Sequence, residues 1–382
     1  MNGASNYFAF EKRPGDSHWL DLVRALAITL VLARHGHRAI HGQTGTPPDI
    51  LDALLLNGWI GVDLFFVLSG YLISSHLLRR GLGTGHFDIK RYLAMRALRI
   101  VPAYFAVIAL ILFGAFPAYS INPDHLWFRT IYHMLFLQDL LPSNINTVFW
   151  SLGVEEKFYL FAPVLVWFTV TRTSLARSCL VVLAFFLMSP LLRAIAFAST
   201  PDSMNYNAFF FEFRSPFYMT LEPLMAGVAI AVVRHARVLP NSSRLGAILM
   251  AAAFVALVAW LASDEFMAQI GWFDATLQPV LIAILCGALT LGAVMMGDAK
   301  VPFEPAVRVT ARLSYSLYLV HYPLVPLALK IAETSGLSTA GYWIAYLAAS
   351  LFFACLVHFS VEKPFLILKD RIAAGRRLAS AD

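Results

Sequence analysis

The sequence predicts an all-α integral membrane protein, folded as a bundle of about ten transmembrane helices. Its 382 residues are 59% hydrophobic and only 14% charged, and the mean hydropathy is +0.68, well above that of soluble chains. Stretches of about 20 largely apolar residues recur along the chain, and this is the length at which an α-helix crosses a bilayer. The basic residues collect in alternate connections between these stretches, as membrane topology requires.

The predicted spans account for most of the chain. The segment around Asp139, residues 126–140, is too short and too polar for a span, so we predict an interfacial or re-entrant helix there. We expect a cytoplasmic N-terminal segment (1–19), a transmembrane domain (20–366) and a cytoplasmic tail (367–382), with no separate soluble domain. The predicted spans are 20–40, 54–78, 100–118, 149–170, 179–198, 209–233, 244–262, 277–296, 313–331 and 340–366.

Charge asymmetry predicts the orientation of the bundle. With the N-terminus in the cytoplasm, 21 of the 29 Lys and Arg residues fall in inner segments, and only Arg129 and Lys330 fall in outer ones. Because cytoplasmic loops carry an excess of positive charge, both termini are predicted to be cytoplasmic. The first 19 residues have no early apolar core, so we expect no cleavable signal peptide.

Cysteine usage and net charge argue against several functions. Cys179, Cys286 and Cys355 all lie in apolar segments, which predicts packing roles with no disulfide framework and no metal cluster. The net charge of +6 comes from basic residues between the spans. Topology explains these residues, so they do not indicate nucleic-acid binding.

The first span carries ionisable side chains that a bilayer-spanning helix rarely contains without a function. Arg24 and His35 are eleven residues apart, which places them within about 20° of one helix face and about 16 Å apart along the axis. A phosphate near Arg24 could therefore belong to a molecule whose far end reaches His35. The alternative is that Arg24 extends to the lipid headgroups and His35 makes a polar interhelical contact.

Asp63 in the second span is predicted to lie at a similar depth to His35. An orienting carboxylate is what a general-base histidine uses, so Asp63 is a candidate partner for the imidazole. Ser69 lies deeper, and a lone serine in a transmembrane helix is more often an interhelical hydrogen-bonding group than a nucleophile. The same span contains glycines that permit close helix approach: Gly58, Gly61 and Gly70.

Two further sets of charged residues are candidates for a chemical role: an arginine pair on the cytoplasmic side, and a glutamate in the outer part of the fourth span. Arg96 and Arg99 are three residues apart on one helix face, and two guanidinium groups suit the binding of phosphates. The alternative is that they serve topology and anionic headgroups. Glu155 begins a double glutamate in the fourth span, where carboxylates are rarely inert, although a structural ion pair is the alternative.

Later polar residues in the spans carry weaker signals. Arg193, Glu212 and Arg214 could line an outward cavity, His321 is interpreted as a buried structural histidine, and residues 361–365 as a helix-ending anchor.

Five segments, taken in order, resemble the membrane-bound acyltransferase 3 family, of the sugar or polysaccharide O-acyltransferase type. They are LDLVRALAITLVLARH, GVDLFFVLSGYLI, RALRIVPAYF, WSLGVEEKFYLFAP and LSYSLYLVHYPL, and they cover nearly the whole chain. No single segment is decisive, but five in the family's order form a specific signal. One departure is Lys157, which stands where the family more usually has glutamine.

The resemblance implies a ten-helix enzyme of a bacterial inner (cytoplasmic) membrane. It implies an acyl-CoA-dependent O-acyltransferase that moves an acyl group, usually acetyl, from cytoplasmic acyl-CoA (acetyl-CoA) to a sugar, polysaccharide or glycolipid hydroxyl, most often in a lipopolysaccharide, exopolysaccharide, Nod factor or antibiotic. His35 matches the family's essential histidine, Arg24 the arginine before it, and Glu155 the fourth-span glutamate. Arg96 and Arg99 match the arginine pair near the donor. Acyl-CoA would be a donor substrate, with no permanently bound cofactor.

Combining both lines, we expect the CoA phosphates on Arg96 and Arg99, with Arg24 as a further candidate, and the pantetheine arm directed toward His35. His35 would deprotonate the acceptor hydroxyl, and Asp63 or Glu155 would orient the imidazole. Direct transfer and a covalent acyl-enzyme relay both stay open. The alternatives from other classes are a multi-span transporter and a non-catalytic membrane component of polysaccharide assembly.

Overall fold

The computed structural model is predominantly helical and describes residues 7–8, 10, 17–41, 49–80, 87–170, 174–200, 203–240, 242–263 and 270–378. Within these residues there is no β-strand, and one isolated bridge joins Met204 to Ile270. The α-helices are α1 (His18–His41), α2 (Ile50–Leu56), α3 (Ile60–Arg79), α4 (Ile89–Leu112), α5 (Leu126–Met134), α6 (Trp150–Val170), α7 (Leu175–Phe197), α8 (Glu222–His235), α9 (Ser243–Ser263), α10 (Trp272–Thr276), α11 (Gln278–Met296), α12 (Glu304–Thr334), α13 (Thr339–Val357) and α14 (Lys363–Leu378).

Six of the described helices are long and apolar enough to cross a membrane. They are α3, α4, α7, Ser243–Ala262 of α9, α11, and the stretch Thr339–Ile372 that joins α13 to α14. Large apolar side chains are exposed along α7 and α13, among them Leu187, Leu191, Ile344 and Phe352, as expected for helices that face lipid. The all-α class is confirmed. The other predicted spans coincide with α1, α6, residues 206–235 and α12, and the count of ten spans remains a prediction.

Helix α3 lies at the centre of the bundle, in contact with α1, α6, α8 and α11. Glycines allow this close packing, as the sequence predicted. A Cβ atom on Gly70 would lie 2.1 Å from the carbonyl oxygen of Leu224 in α8, and one on Gly61 would lie 2.4 Å from that of Ala27 in α1. Only a residue without a side chain fits at these crossings, so α3 is held where its polar residues can meet α1, α6 and α8.

The sixth predicted span, 209–233, is broken rather than continuous. A turn of π-helix occupies Phe209–Arg214, a 3-10 turn occupies Phe217–Met219, and α8 starts only at Glu222. Pro216 lacks the amide hydrogen that a continuous helix needs at that point. The break turns Arg214 toward α3, and π-turns are often found at functional sites.

Other boundaries also differ from the predictions. Helix α4 begins at Ile89 rather than residue 100 because Asp88 caps it, accepting a hydrogen bond from the Arg91 amide (2.9 Å). Residues 361–365 do not end the last helix, because a π-turn at His358–Glu362 leads into α14 with Pro364 in its first turn, where proline is tolerated. Helix α5 has nine residues, about 14 Å, which is too short to span a bilayer.

Candidate active site

Arginines converge around a cavity of about 380 Å³ between α1, α3, α4, α6 and α12, here called the arginine cavity. Arg96 and Arg99 reach it from one face of α4, and Arg24 reaches it from α1, where it also pairs with Asp21 (2.9 Å). The three residues that the sequence predicted to bind the donor therefore line one space. Concentrated guanidinium groups are suited to phosphates. The arginines lining the cavity are Arg24, Arg79, Arg96, Arg99 and Arg312.

Glu155 belongs to the arginine cavity. It projects from α6, accepts a hydrogen bond from Ser69 of α3, and lines the space together with Arg96 and Arg99. Ser69 is thus an interhelical hydrogen-bond group, as the sequence predicted. Glu155 does not line the cavity that contains His35, and no hydrogen bond joins the two among the described residues. The expectation that Glu155 orients His35 has no support in this geometry.

A second cavity of about 330 Å³, here called the histidine cavity, contains His35. Its basic side chains are Arg34 and Arg38 of α1 and Arg214 of the broken segment. Aromatic side chains form much of the remaining wall: Trp59, Trp150, Tyr206, Phe209, Phe210, Phe211, Tyr318 and Tyr322.

His321, rather than a carboxylate, is the hydrogen-bonding partner of His35. Nδ1 of His321 lies 2.8 Å from the Tyr318 carbonyl oxygen and 3.1 Å from that of Leu317. Because a carbonyl only accepts hydrogen bonds, Nδ1 of His321 carries the proton, and its Nε2 is an acceptor in the neutral ring. That Nε2 lies 3.2 Å from Nδ1 of His35.

This pattern also assigns the protons of His35. Nδ1 of His35 faces two acceptors, Nε2 of His321 and the Val31 carbonyl oxygen at 2.9 Å. It therefore carries the proton, and Nε2 of His35 keeps the lone pair that a general base needs. His321 is buried and hydrogen-bonded, as the sequence predicted, and it also accepts from His35, which adds to the effect of the Val31 carbonyl on the position of the His35 proton.

Asp63 has a different partner from the one that the sequence predicted. Its two carboxylate oxygens accept hydrogen bonds from Nη1 and Nη2 of Arg214, at 2.9 and 2.7 Å. Both side chains are buried, and a bidentate pair of this kind is strong and geometrically specific. Asp63 therefore anchors the broken segment to α3 and neutralises Arg214, and it does not occupy the orienting position beside His35.

Tyr318 and Val62 line both cavities and so separate them. The Tyr318 hydroxyl donates to the Val148 carbonyl oxygen at 2.7 Å and lies 2.5 Å from Ser151 Oγ, which donates to it. The Tyr318 ring also packs edge-on against Phe65, with ring centroids 6.2 Å apart. Arg24 and His35 share α1 but open into different spaces, so the continuous path predicted between them is closed at Tyr318.

Several polar residues near the cavities have structural contacts. Lys157 pairs with Asp139 at 2.5 Å, which ties the segment after α5 to α6. Arg193 is buried and bonds to Glu222, whereas Glu212 is exposed. Neither Arg193 nor Glu212 lines the histidine cavity, so of the three residues predicted to line an outward cavity only Arg214 does so.

A group of possible metal ligands lies at the ends of α1 and α2. The ligand atoms of His37, His41 and Asp52 are within 4.8 Å of one another. None of the three lines either cavity, so they have no part in the chemistry considered below. The absence of a metal from the reaction remains a prediction.

The model of one protein family, described as an acyltransferase domain, matches residues 17–359. The chain belongs to acyltransferase family 3. The recognition based on five sequence segments is thereby confirmed. No solved structure matches the chain.

Curated relatives of this acyltransferase family 3 member include proteins named as O-acetyltransferases. The chain is 26% identical to peptidoglycan O-acetyltransferase OatA of Listeria monocytogenes, covering 90% of this chain and 55% of the relative. It is 27% identical to a putative peptidoglycan O-acetyltransferase, YrhL, of Bacillus subtilis (80% of this chain, 50% of the relative). A putative O-acetyltransferase of Staphylococcus aureus is 27% identical over 43% of this chain. The chain spans about half the length, or less, of these relatives.

Sequence reasoning selected His35, Arg24, Arg96 and Arg99, which line the two cavities, but it missed the features that connect the cavities. His321 was visible in LSYSLYLVHYPL, and its position four residues after Leu317 on a helix makes an Nδ1 bond to that carbonyl possible. Its contact with His35, 286 residues away, had no sequence signal. The role of Tyr318 as the wall between two cavities likewise depends on packing alone.

Proposed function

We propose that this acyltransferase 3 member is a membrane O-acyltransferase. In this proposal an acyl group, acetyl in the first instance, passes from acyl-CoA in the arginine cavity to a hydroxyl of a sugar, polysaccharide or glycolipid in the histidine cavity. The enzyme lies in a bacterial inner membrane with both termini and the arginine cavity on the cytoplasmic side. The names of the relatives make a peptidoglycan-type glycan the first acceptor to test.

One observation carries the proposal. A cavity rich in guanidinium groups and a cavity containing a histidine with an assigned basic nitrogen meet at the side chains of Tyr318 and Val62. The first suits the phosphates of a CoA ester, because arginine binds phosphate in a bidentate manner. The second suits proton removal from an acceptor hydroxyl. A transporter or a scaffold has no need of both in contact.

The reaction follows from these positions. The acceptor hydroxyl donates its proton to Nε2 of His35 as its oxygen attacks the thioester carbonyl carbon. A new C–O bond forms, the C–S bond breaks, and the CoA thiolate leaves and takes up the proton from His35. His321 accepts the Nδ1 hydrogen bond of the imidazolium while it exists. Tyr318 must leave its bonds to Val148 and Ser151 for the thioester to meet the hydroxyl.

The test uses the purified full chain in phosphatidylcholine nanodiscs. Acetyl-CoA is supplied with a tetrasaccharide of alternating N-acetylglucosamine and N-acetylmuramic acid, and free thiol and acetylated glycan are measured together. The wild-type protein is expected to release thiol and acetylate the glycan in equal amounts. His35→Ala is expected to lose at least about 10²-fold in turnover, since a general base contributes that much or more, while still binding acetyl-CoA.

Three results would contradict different parts of the proposal: the acceptor, the enzymatic function and the role of His35. Thiol release without glycan acetylation would point to another acceptor and would leave only the donor half of the proposal. No thiol release with any hydroxylated acceptor would contradict the enzymatic function. If His35→Ala kept more than about a tenth of wild-type turnover, His35 would not be the base.

A further inference from the structure

The histidine cavity is lined by three arginines: Arg34, Arg38 and Arg214. Arg34 and Arg38 lie one turn apart on α1, and the guanidinium carbon of each is 5.4 Å from the centroid of the Tyr206 ring. The third arginine, Arg214, is neutralised by Asp63. Among the described residues, no Asp or Glu lines this cavity.

Arg38 is the cavity arginine most available to an anionic ligand. Among the described residues its guanidinium lies over the Tyr206 ring and also interacts with Tyr322, and no ion pair there joins it to a carboxylate. Arg34 differs, since it is buried and donates to the Leu56 carbonyl oxygen. Two like charges one turn apart repel each other, and a partly enclosed charge without a counter-ion is costly. A ligand that brings an anionic group removes both costs.

The remaining wall suits a sugar. The Tyr206, Trp59 and Trp150 rings line the cavity beside the arginines, and the Arg214 guanidinium carbon lies 5.0 and 5.5 Å from the Trp59 and Trp150 ring centroids. Aromatic walls with a few positioned polar groups are typical of a ligand site. Arg38 lies three residues from His35 on α1, so their Cβ atoms are about 5–6 Å apart. An anionic group held at Arg38 would therefore leave a hydroxyl of a neighbouring carbon or sugar ring within reach of the base.

We propose that the histidine cavity binds an acidic glycan, whose carboxylate or phosphate is held by Arg38 together with Arg34 while a hydroxyl of the same glycan faces His35. This inference rests on the proposed function for its hydroxyl and base, but the binding of the anion can be measured separately. This role would explain why α1 carries Arg34 and Arg38 in addition to Arg24, which lines the arginine cavity.

The experiment compares three acceptors of similar size in phosphatidylcholine nanodiscs. They are the tetrasaccharide with N-acetylmuramic acid, the same compound with its lactyl carboxylates converted to methylamides, and the tetrasaccharide of N-acetylglucosamine. Binding is measured without acetyl-CoA by saturation-transfer NMR, and kcat/KM is measured with acetyl-CoA. The variants are Arg38→Gln, Arg38→Lys and, as a control for loss of one charge, Arg129→Gln, whose side chain lies outside both cavities.

The wild-type protein is expected to prefer the acid over its methylamide by about 10-fold or more, because hydrogen bonds to charged groups are worth that ratio. Arg38→Gln should bring the ratio close to one, Arg38→Lys should keep part of it, and Arg129→Gln should leave it as in the wild type. Equal use of acid and methylamide, or a preference that survives Arg38→Gln, would overturn the inference.

A lipid phosphate is the other source of such an anion. If phosphatidylglycerol in the nanodiscs abolishes the preference for the acid, the arginines bind headgroups and the inference is wrong. If none of these three glycans is acetylated, the acceptor half of the proposed function fails for them, and the binding ratio alone decides the inference. A binding preference for the acid that depends on Arg38 supports it, and equal binding of all three glycans overturns it.

Discussion

Replacing His321 tests the pairing with His35 directly. As the acyl group is transferred, His35 becomes an imidazolium whose Nδ1 proton is shared between Val31 and Nε2 of His321, at 2.9 and 3.2 Å. His321→Leu removes one of these two acceptors. A hydrogen bond to a charged group contributes about 1.5–3 kcal/mol, and about 1.4 kcal/mol corresponds to tenfold in rate. We therefore expect kcat to fall by about 10- to 10²-fold, less than for His35→Ala.

The assay must separate this effect from loss of folded protein. Turnover is measured in nanodiscs at equal folded concentration, since removal of a buried polar partner also lowers stability. The KM for acetyl-CoA should stay at the wild-type value, because His321 does not line the arginine cavity. His321→Gln supplies a matched control, since its amide oxygen can still accept from His35, and it should retain most of the activity.

Two results would refute this reasoning. Wild-type kcat in His321→Leu would show that the Val31 carbonyl alone orients His35. Equal losses in His321→Leu and His321→Gln would show that the residue acts through packing, as the sequence first indicated.

The remaining predictions concern the donor site, the anchor, the separating wall and the topology. Arg96→Ala and Arg99→Ala should each raise the KM for acetyl-CoA, with lysine restoring only part, and unchanged values would make these arginines topology signals. Asp63→Asn should lower thermal stability by about 3–5 kcal/mol, because it leaves Arg214 buried without its counter-ion. Full recovery of the melting temperature in a double variant that also carries Arg214→Leu would support the pair. A single variant as stable as the wild type would contradict it. Tyr318→Ala should join the two cavities and increase hydrolysis of acetyl-CoA in the absence of acceptor, and thiol release equal to that of the wild type would argue against a wall at this position. Reporter fusions after residues 45, 88, 130 and 382 should report out, in, out and in, and a cytoplasmic signal at 130 would overturn the predicted position of the 126–140 segment.

The sequence by itself determined the helical class and the residues with chemical potential. Apolar stretches of membrane length and buried charges depend on local composition, which can be counted along the chain. The spacing of Arg96 and Arg99 predicted a shared face because helical periodicity is a local property. Both residues do line one cavity, together with Arg24.

The tertiary structure alone decided which charged and polar groups meet. His35 meets His321 and Asp63 meets Arg214 across 286 and 151 residues of chain. Similar depth in the membrane made Asp63 a reasonable partner for His35, but depth does not specify the direction in which a side chain points. The break in the sixth predicted span places the Arg214 guanidinium beside Asp63. A bidentate arginine–carboxylate pair is stronger than the predicted hydrogen bond between Asp63 and the His35 imidazole.

The division of the bundle into two cavities was equally beyond sequence reasoning. Arg24 and His35 lie on one helix and suggested one continuous binding path, because helical geometry gives their spacing and shared face. Whether the space between them is open depends on the residues that α3, α6 and α12 insert beside α1. Tyr318, held by Ser151 and Val148, closes that space. Such packing between distant segments follows from how the helices cross, which local periodicity does not contain.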